Sequence, residues 1–456
     1  MKKPSVPPKD VESIFHENEM FFSTTDLKGI ILSGNDVFTR VSKYSLEELI
    51  GKPHNIIRHP DMPKVIFKLL WEYIQSGKPI VAYVKNMAKD GSYYWVLAVV
   101  SPLFDKEGNI SKYISIRIKP MSYLFDEIQK IYKQLLKVEQ LEGVEESQRL
   151  LYQKLKELGF DTYDDFMKKA VEEELKLKGN SLEKNIEVSN IDKDFLELFH
   201  IYKVFKEIEQ AYENIYNFLH SFSRVNKILR ENASDILTIS EDVRLISLNS
   251  SVESYKLGSQ GNSFFVLSTE MRKTAEQSGR LTKKMEQILN NTLIDINQMI
   301  FYMNISKLGI YMMSNFLVEI LTKDLVLRLA NILTDIYDNF EFVVYYLKLL
   351  NSISTKLNEN LSQILSIINN VNILIKRLHF LYLTGMVESA HQVQTSFSLI
   401  FTQVNNLVEK TKGSIFQLSS ELKNVISTNR KLNTELKYII DILSQLENNF
   451  SRYEFV

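Results

Sequence analysis

The sequence holds no cysteine, and its proline and glycine are scarce and unevenly placed. Without cysteine the chain has no disulfide, no thiolate nucleophile and no Cys-bound metal. The same absence fits a reducing compartment, and a cytoplasmic location is expected. All nine prolines lie at or before Pro120. Proline inside a helix costs about 3 kcal/mol or more, so the proline-free remainder excludes an ordinary α/β or all-β second domain and predicts long helices. The 15 glycines in 456 residues are roughly half of average usage, which leaves few turns. Charge of one sign is also lacking: 55 Lys+Arg meet 56 Asp+Glu, which excludes a nucleic-acid binder held by phosphate contacts. Met1-Lys2-Lys3-Pro4 offers no apolar signal core. No 18-residue apolar run is present; the segment from Met299 to Leu321 is interrupted by Asn304, Lys307, Asn315 and Glu319 and reads as a buried helix.

What is there begins with a mixed head. Residues 20–34 give strand, Thr-Asp-Leu-Lys-Gly turn and strand, followed by a helical pattern from Asn35 to Leu49 and a short helix over 63–76. Three strand-like runs follow, IVAYVKNM, SYYWVLAVVSPLF and KYISIRIKP, joined at Lys89-Asp90-Gly91 and Asp105-Lys106-Glu107-Gly108. These elements predict an α+β sensor-type domain over residues 1–120. The Arg-His-Pro-Asp turn could act only as a cap of helix 63–76 through Asp61, and Trp71, beside Phe67 and Leu70, reads as core.

GKPHNIIRHPDMP (51–63), VKNMAKDGSYYWV (84–96) and YISIRIKP (113–120), with STTDLKG (23–29) and Ser42-Lys43-Tyr44-Ser45, resemble the PAS domain of bacterial aerotaxis (energy-taxis) receptors. The resemblance implies a PAS head that binds FAD non-covalently and reads its redox state. By position it implies Arg58, His59, Asp61 and Asn86 at the flavin, with Trp95 as an aromatic wall. A guanidinium can hold pyrophosphate oxygens, and imidazole and amide groups can bond an isoalloxazine edge. Ile80 departs from the family, which often has Trp near that point. Heme, with His16, His54 or His59 as ligand, is a lesser alternative.

Residues 121–190 form a charged helical linker, with Gly159 as a C-cap and KGNSLEKN (178–185) as a boundary. From about 192 to 257 the residues Ile201, Val204, Ile208, Ala211, Ile215, Phe218, Phe222, Val225, Leu229, Asn232, Ile236, Ile239, Val243 and Ile246 follow 3-4 spacing, a coiled-coil seam with one polar interruption. It leads into VRLISLNSSVESYKLGSQGNSFFVLSTEMRKTAEQS (243–278), which resembles the signalling hairpin tip of methyl-accepting chemotaxis proteins. That resemblance places Glu253, Lys256, Gly258, Gln260, Gly261, Phe264 and Arg272 at the tip, where the family docks its adaptor and histidine kinase. Lys256, Ser259 and Asn262-Ser263 depart from the family's residues within the docking segment.

The tip recurs. Val252-Glu253-Ser254 returns as Val387-Glu388-Ser389, and Phe264 and Thr269 as Phe397 and Thr402, in a second copy without the two tip glycines. Two hairpins over 191–322 and 323–456 predict a long all-α coiled-coil or four-helix-bundle body, formed within one chain as a pseudo-dimer or between two chains as a homodimer. No nucleotide loop, phosphoacceptor histidine or cyclase motif is present, and no enzyme is expected. His200, His220, His379 and His391 read as packing or surface residues, and Glu276-Gln277 as exposed polar residues before a methylation pair. The expected function is a cytoplasmic redox or energy sensor in chemotaxis signal transduction, contacting the adaptor and kinase or a partner receptor. The alternative is a non-enzymatic scaffold whose PAS domain binds a protein partner or another ligand.

Overall fold

The computed structural model describes residues 6–183, 196–322, 329–391 and 395–452. The end of the expected boundary at 178–185, the expected helix start near 192 and the turn of the second hairpin lie outside the described residues. The chain divides into two compact units: Met1–Glu213 with Phe301–Leu349 and Tyr438–Val456, and Asn214–Ile300 with Leu350–Lys437.

The first unit is organised by an antiparallel sheet of β1 (Met20–Thr25), β2 (Ile31–Gly34), β3 (Ile80–Met87), β4 (Tyr93–Phe104) and β5 (Ile110–Ile118), in the order β2-β1-β5-β4-β3. Between β2 and β3 lie α1 (Asp36–Ser42), α2 (Leu46–Leu49), a 3-10 turn at His54–Ile57 and α3 (Lys64–Gln75). The helix expected over 35–49 breaks at Lys43, whose φ of 57° is left-handed, and restarts through a capping box of Ser45 and Glu48. Asp61 does not cap α3. Its first N–H groups, on Lys64 and Val65, donate instead to the Glu139 carboxylate at 2.8 and 3.3 Å.

Period-2 alternation divides the sheet into two faces. One is the cavity face described below. On the other, Tyr83 and Trp95 pack on Phe125, and Tyr83 also on Phe166, from helices α4 (Tyr123–Leu141) and α6 (Tyr163–Lys178), with α5 (Val144–Glu157) between them in the chain. Fully buried Glu174 of α6 accepts from the backbone N–H groups of Met121 (2.7 Å) and Ser122 (3.0 Å), the Ser122 hydroxyl (2.7 Å) and the Tyr83 hydroxyl (3.0 Å), fixing the exit from β5 into α4.

The rest of that face meets the helices α8 (Asn262–Thr322) and α9 (Leu329–His391). Phe316 lies edge-on to Phe22 (5.0 Å), Tyr345 stacks on Phe104 (4.8 Å), and the Tyr346 and Ser101 hydroxyls are 2.8 Å apart. Lys112 donates to both Asp338 oxygens at 3.0 Å. Beside this pair, Asp335 is pushed up to about 7, chiefly by burial and by Asp338, with the Ser33 hydroxyl and Lys112 opposing. The raised value means the folded state holds a proton that the unfolded carboxyl, near 3.9, has released. Stability from this group is therefore present at low pH and lost as pH rises to about 7, level beyond. Between about pH 5 and 7.5 the wild type should lose about 2.5 kcal/mol from this source, and Asp335→Asn should remove that part of the slope in pH-dependent urea melts.

The second unit is built from segments of α7 (Leu196–Lys256), α8, α9 and α10 (Thr395–Arg452), the long helices that the absence of proline predicts. Within this unit half of the expected seam is buried as read, Ile215, Phe222, Leu229, Ile236 and Val243, and Ile201, Val204 and Ile208 of the first unit are buried too. The alternate positions move by one residue, so Leu219, Asn226, Ala233, Ser240 and Ser247 are more deeply buried than Phe218, Val225, Asn232, Ile239 and Ile246. A helix with neighbours on two sides buries a wider stripe than the two-stranded seam. The polar interruption moves accordingly. Asn226 donates to Leu289 O of α8 (3.3 Å), whereas Asn232 bonds its own helix at Ile228 O.

Contacts between the two hairpins arise within this one chain: Arg377 with Glu270 (2.7 Å), Lys356 with Asp295 (2.9 Å) and Ser263 with Glu388 (2.7 Å). Among the described residues the segment long and apolar enough, by length and composition, to cross a membrane is Ile332–His391. In it Ile336, Phe340, Val343, Tyr346, Leu347 and Leu350 are buried in protein, as are Met303, Leu308 and Met312 of the segment read as a buried helix.

Candidate functional site

A cavity of about 220 Å³ opens between the inner sheet face and the segment from the 3-10 turn to α3. Ser115 and Arg117 of β5, Ala98 and Val100 of β4, and Val84 and Asn86 of β3 line it at period 2. Trp71 of α3 and Gly29 complete a wall. Gly29 has φ 76°, and a Cβ there would stand 3.2 Å from the Trp71 ring, so the glycine serves both the turn and the close approach.

The cavity is electrostatically one-sided. Arg117 is 4 % exposed. Its guanidinium donates to His54 Nε2 (2.8 Å) and to Ser23 Oγ (2.9 Å), and lies over the rings of Phe21 and Phe38. Burial, and then Arg117, push His54 down to about 3, so the imidazole is neutral and its Nε2 accepts. Burial lowers Arg117 to about 10, still far above neutral pH. Among the described residues no carboxylate pairs with Arg117. Ser115 Oγ, buried on the same wall, has no hydrogen-bond partner among the described residues.

The family described as the PAS fold matches residues 31–117. The aerotaxis receptor of Escherichia coli (strain K12) is 43 % identical over 119 residues, 26 % of this chain and 23 % of that one. The head is a PAS domain. The biofilm dispersion protein BdlA of Pseudomonas aeruginosa is 22 % identical over 267 residues, 58 % of this chain and 53 % of that protein, a match that runs beyond the PAS domain. This chain thus spans about a quarter and about half of these two relatives' lengths. The light-state structure of the blue-light photoreceptor Aureochrome1 LOV aligns at 25 % identity over 24 % of this chain and 85 % of that one, with a TM-score of 0.22.

Of the residues expected at the PAS cofactor site, Arg58 and Asn86 line the cavity and are bridged through their backbones. Arg58 lies 3.7 Å over the Phe67 ring, half-buried, and burial lowers it to about 10. His59 and Asp61 do not line it. His59 is buried beside the cavity wall, accepting from the Asp61 N–H at Nδ1 (3.1 Å), and burial and Lys85 lower it to about 4. Asp61 is exposed and paired with Lys85 at 3.0 Å. Trp95 is on the opposite face, against Phe125 and Tyr132, because strand alternation turns residues 95, 97 and 99 away from the cavity. The aromatic wall is Trp71. Ile80, the departure from the family, is buried and outside the lining. His54 was expected only as a ligand of the lesser heme alternative, and Ser115 and Arg117 were not expected here. The signal for the last two was a serine and an arginine two apart in the apolar strand YISIRIKP.

At the hairpin tip, α7 ends at Lys256, which pairs with Glu253 (2.8 Å) on the surface, and a 3-10 turn Gly258–Gly261 carries exposed Gln260. Gly258 has φ 61°, and a Cβ on Gly261 would fall 1.9 Å from Ser254 O, so both glycines are required by the turn. Phe264 is fully buried and stacks at 4.1 Å on Phe397, its own counterpart in the repeat. Arg272 is half-buried on α8.

Proposed function

We propose that the chain is a redox or energy sensor in chemotaxis signal transduction, with a non-covalent FAD in the PAS cavity and the helical body as transmitter. The observation that carries this reading is Arg117, a buried guanidinium bonded, among the described residues, by neutral groups. Taking a cation out of water costs several kcal/mol, and an electron-rich ligand edge at Arg117 offsets that cost. The rest of the donor set suits a flavin: a flat indole wall at Trp71, an unpartnered Ser115 hydroxyl, the Asn86 amide, and Arg58 as a fork for a phosphate. At about 220 Å³ the cavity is smaller than the roughly 300–1,000 Å³ of ordinary ligand sites, so FAD would extend beyond it.

FAD, when bound, supplies a ring that gains and loses electrons and protons. The chain's own part is to orient that ring through Trp71, to hold its polar edge with Arg117 and His54, and to keep water from it. His54 Nε2 is taken by Arg117 and His59 Nδ1 by a backbone N–H, which disfavours heme. The outer sheet face, which a protein-binding PAS domain would offer, is covered by helices of this chain. The tip bears exposed Leu245, Leu248, Val252 and Tyr255 at 3-4-3 spacing, and Phe380, Leu383 and Val387 at the matching positions of the repeat. Such stripes suit docking of the adaptor, the kinase or a partner receptor, in the cytoplasm. No catalytic role is assigned.

Titration of the nucleotide-free full chain with FAD tests the cavity. The wild type should bind one FAD per chain, Arg117→Met should weaken binding at least about tenfold, and Arg117→Lys should fall between, since a point charge lacks the fork. Equal binding by wild type and Arg117→Met contradicts the reading.

A further inference from the structure

The block formed by β1 and α1 touches the cavity on one side and a bundle helix on the other, all within the first unit. On the cavity side, Phe38 of α1 stacks on Phe21 of β1 (5.6 Å, 7°) and is parallel to the His54 ring (6.2 Å, 7°). Both phenylalanine rings lie under the Arg117 guanidinium, at 5.4 and 5.8 Å. The packing has no slack: a Cβ on Gly34 would come within 2.5 Å of the Phe38 ring.

On the far side, Asn35 at the start of α1 accepts from the Phe22 N–H (3.4 Å), donates to Met20 O (3.4 Å) and donates to Glu319 Oε2 of α8 (3.1 Å). The Asp36 N–H donates to the other Glu319 oxygen at 3.0 Å. One turn earlier on α8, Phe316 packs edge-on against Phe22. Glu319 is thus bonded by two donors of the block whose other edge contacts Arg117 and His54. Other contacts between the sheet and α9, Ser101 with Tyr346, Lys112 with Asp338, Phe104 with Tyr345 and Ser33 with Asp335, come from side chains that do not line the cavity.

We infer that Glu319 is a positioning residue that couples the cavity to the helical body: it ties α8 to the β1–α1 block, so that a change of charge or hydrogen bonding at Arg117 and His54 is transmitted to α8. The inference rests on the reading of the cavity as the sensing site. It names the element that receives the signal, and it differs from a merely structural contact in predicting coupling rather than only stability.

The test is hydrogen exchange of α8 amides 314–322 in the full chain, for wild type, Glu319→Ala, a cavity variant and the double variant. Arg117→Lys and, independently, His54→Gln serve as cavity variants, with circular dichroism checking that each folds. Either cavity variant should change exchange in 314–322 at least about threefold when Glu319 is present, and by less than about 1.5-fold in the Glu319→Ala background. Asp338→Asn, which cuts a contact off the route, should leave the threefold response in place. No response of α8 to either cavity variant, or the same response with and without Glu319, overturns the proposal. FAD content is read by absorbance in the same samples. A chain that takes up no FAD overturns the cofactor reading alone, because the Arg117–Glu319 cycle is scored without it.

Discussion

Glu174→Ala should lower the stability of the PAS unit by about 3–5 kcal/mol, the range for removing one side of a buried charged network. Four donors converge on that carboxylate, on Met121, Ser122 twice and Tyr83, and all are left in a dry site once it is gone. An unpaired buried donor costs about 1–3 kcal/mol, and partial rearrangement keeps the total below the sum. Glu174→Gln keeps the volume and one good acceptor, so it should cost less than half as much. The chain carries two tryptophans, Trp71 and Trp95, both in this unit. Tryptophan fluorescence during urea unfolding therefore follows the PAS unit without interference from the second unit. That matters because a chain of two units need not unfold in one step. A midpoint unchanged by Glu174→Ala would show that the β5–α4 exit is held by something else.

The second large effect is expected at the hairpin tip. Phe264 and Phe397 are fully buried with ring centroids 4.1 Å apart and planes within 15°. Phe264→Ala or Phe397→Ala should cost about 3–5 kcal/mol each. The double variant should fall short of the sum by about 0.5–1.5 kcal/mol, the coupling typical of an aromatic pair. Helical circular dichroism at increasing denaturant reads the loss. Because the two rings belong to one chain, the loss should not depend on protein concentration. A midpoint that rises with concentration in the wild type, and stops doing so in Phe264→Ala, would place the pair between chains and contradict a single-chain bundle.

The broad architecture was legible because it rests on strong local rules. Nine prolines confined to the head, and four stretches of helical pattern after it, leave few alternatives to a mixed head on long helices. The tip glycines were legible for the same reason, since a positive φ at residue 258 and a backbone contact at residue 261 each exclude a side chain. What failed was resolution by one residue. Trp95 and Trp71 are both aromatic and both near the motif, but strand alternation turns Trp95 away from the cavity while the packing of α3 brings Trp71 to it. The heptad slip from Asn232 to Asn226 has the same character: a helix with two neighbouring faces buries residues beside the seam as well as on it. Asp61 had the right chemistry for a cap, but Glu139, 75 residues from Lys64, took the role. Contacts at that separation leave no local trace. Arg117 was legible in principle, as a charge two residues from Ser115 in a strand otherwise rich in isoleucine.

The central claim is that the cavity around Arg117 is a flavin site, and the absorption spectrum of the purified full chain tests it most directly. After incubation with FAD and removal of free nucleotide, the account predicts a yellow protein carrying about one flavin per chain, with bands bleached by dithionite and restored by air. A colourless chain under the same conditions, folded by circular dichroism, contradicts it.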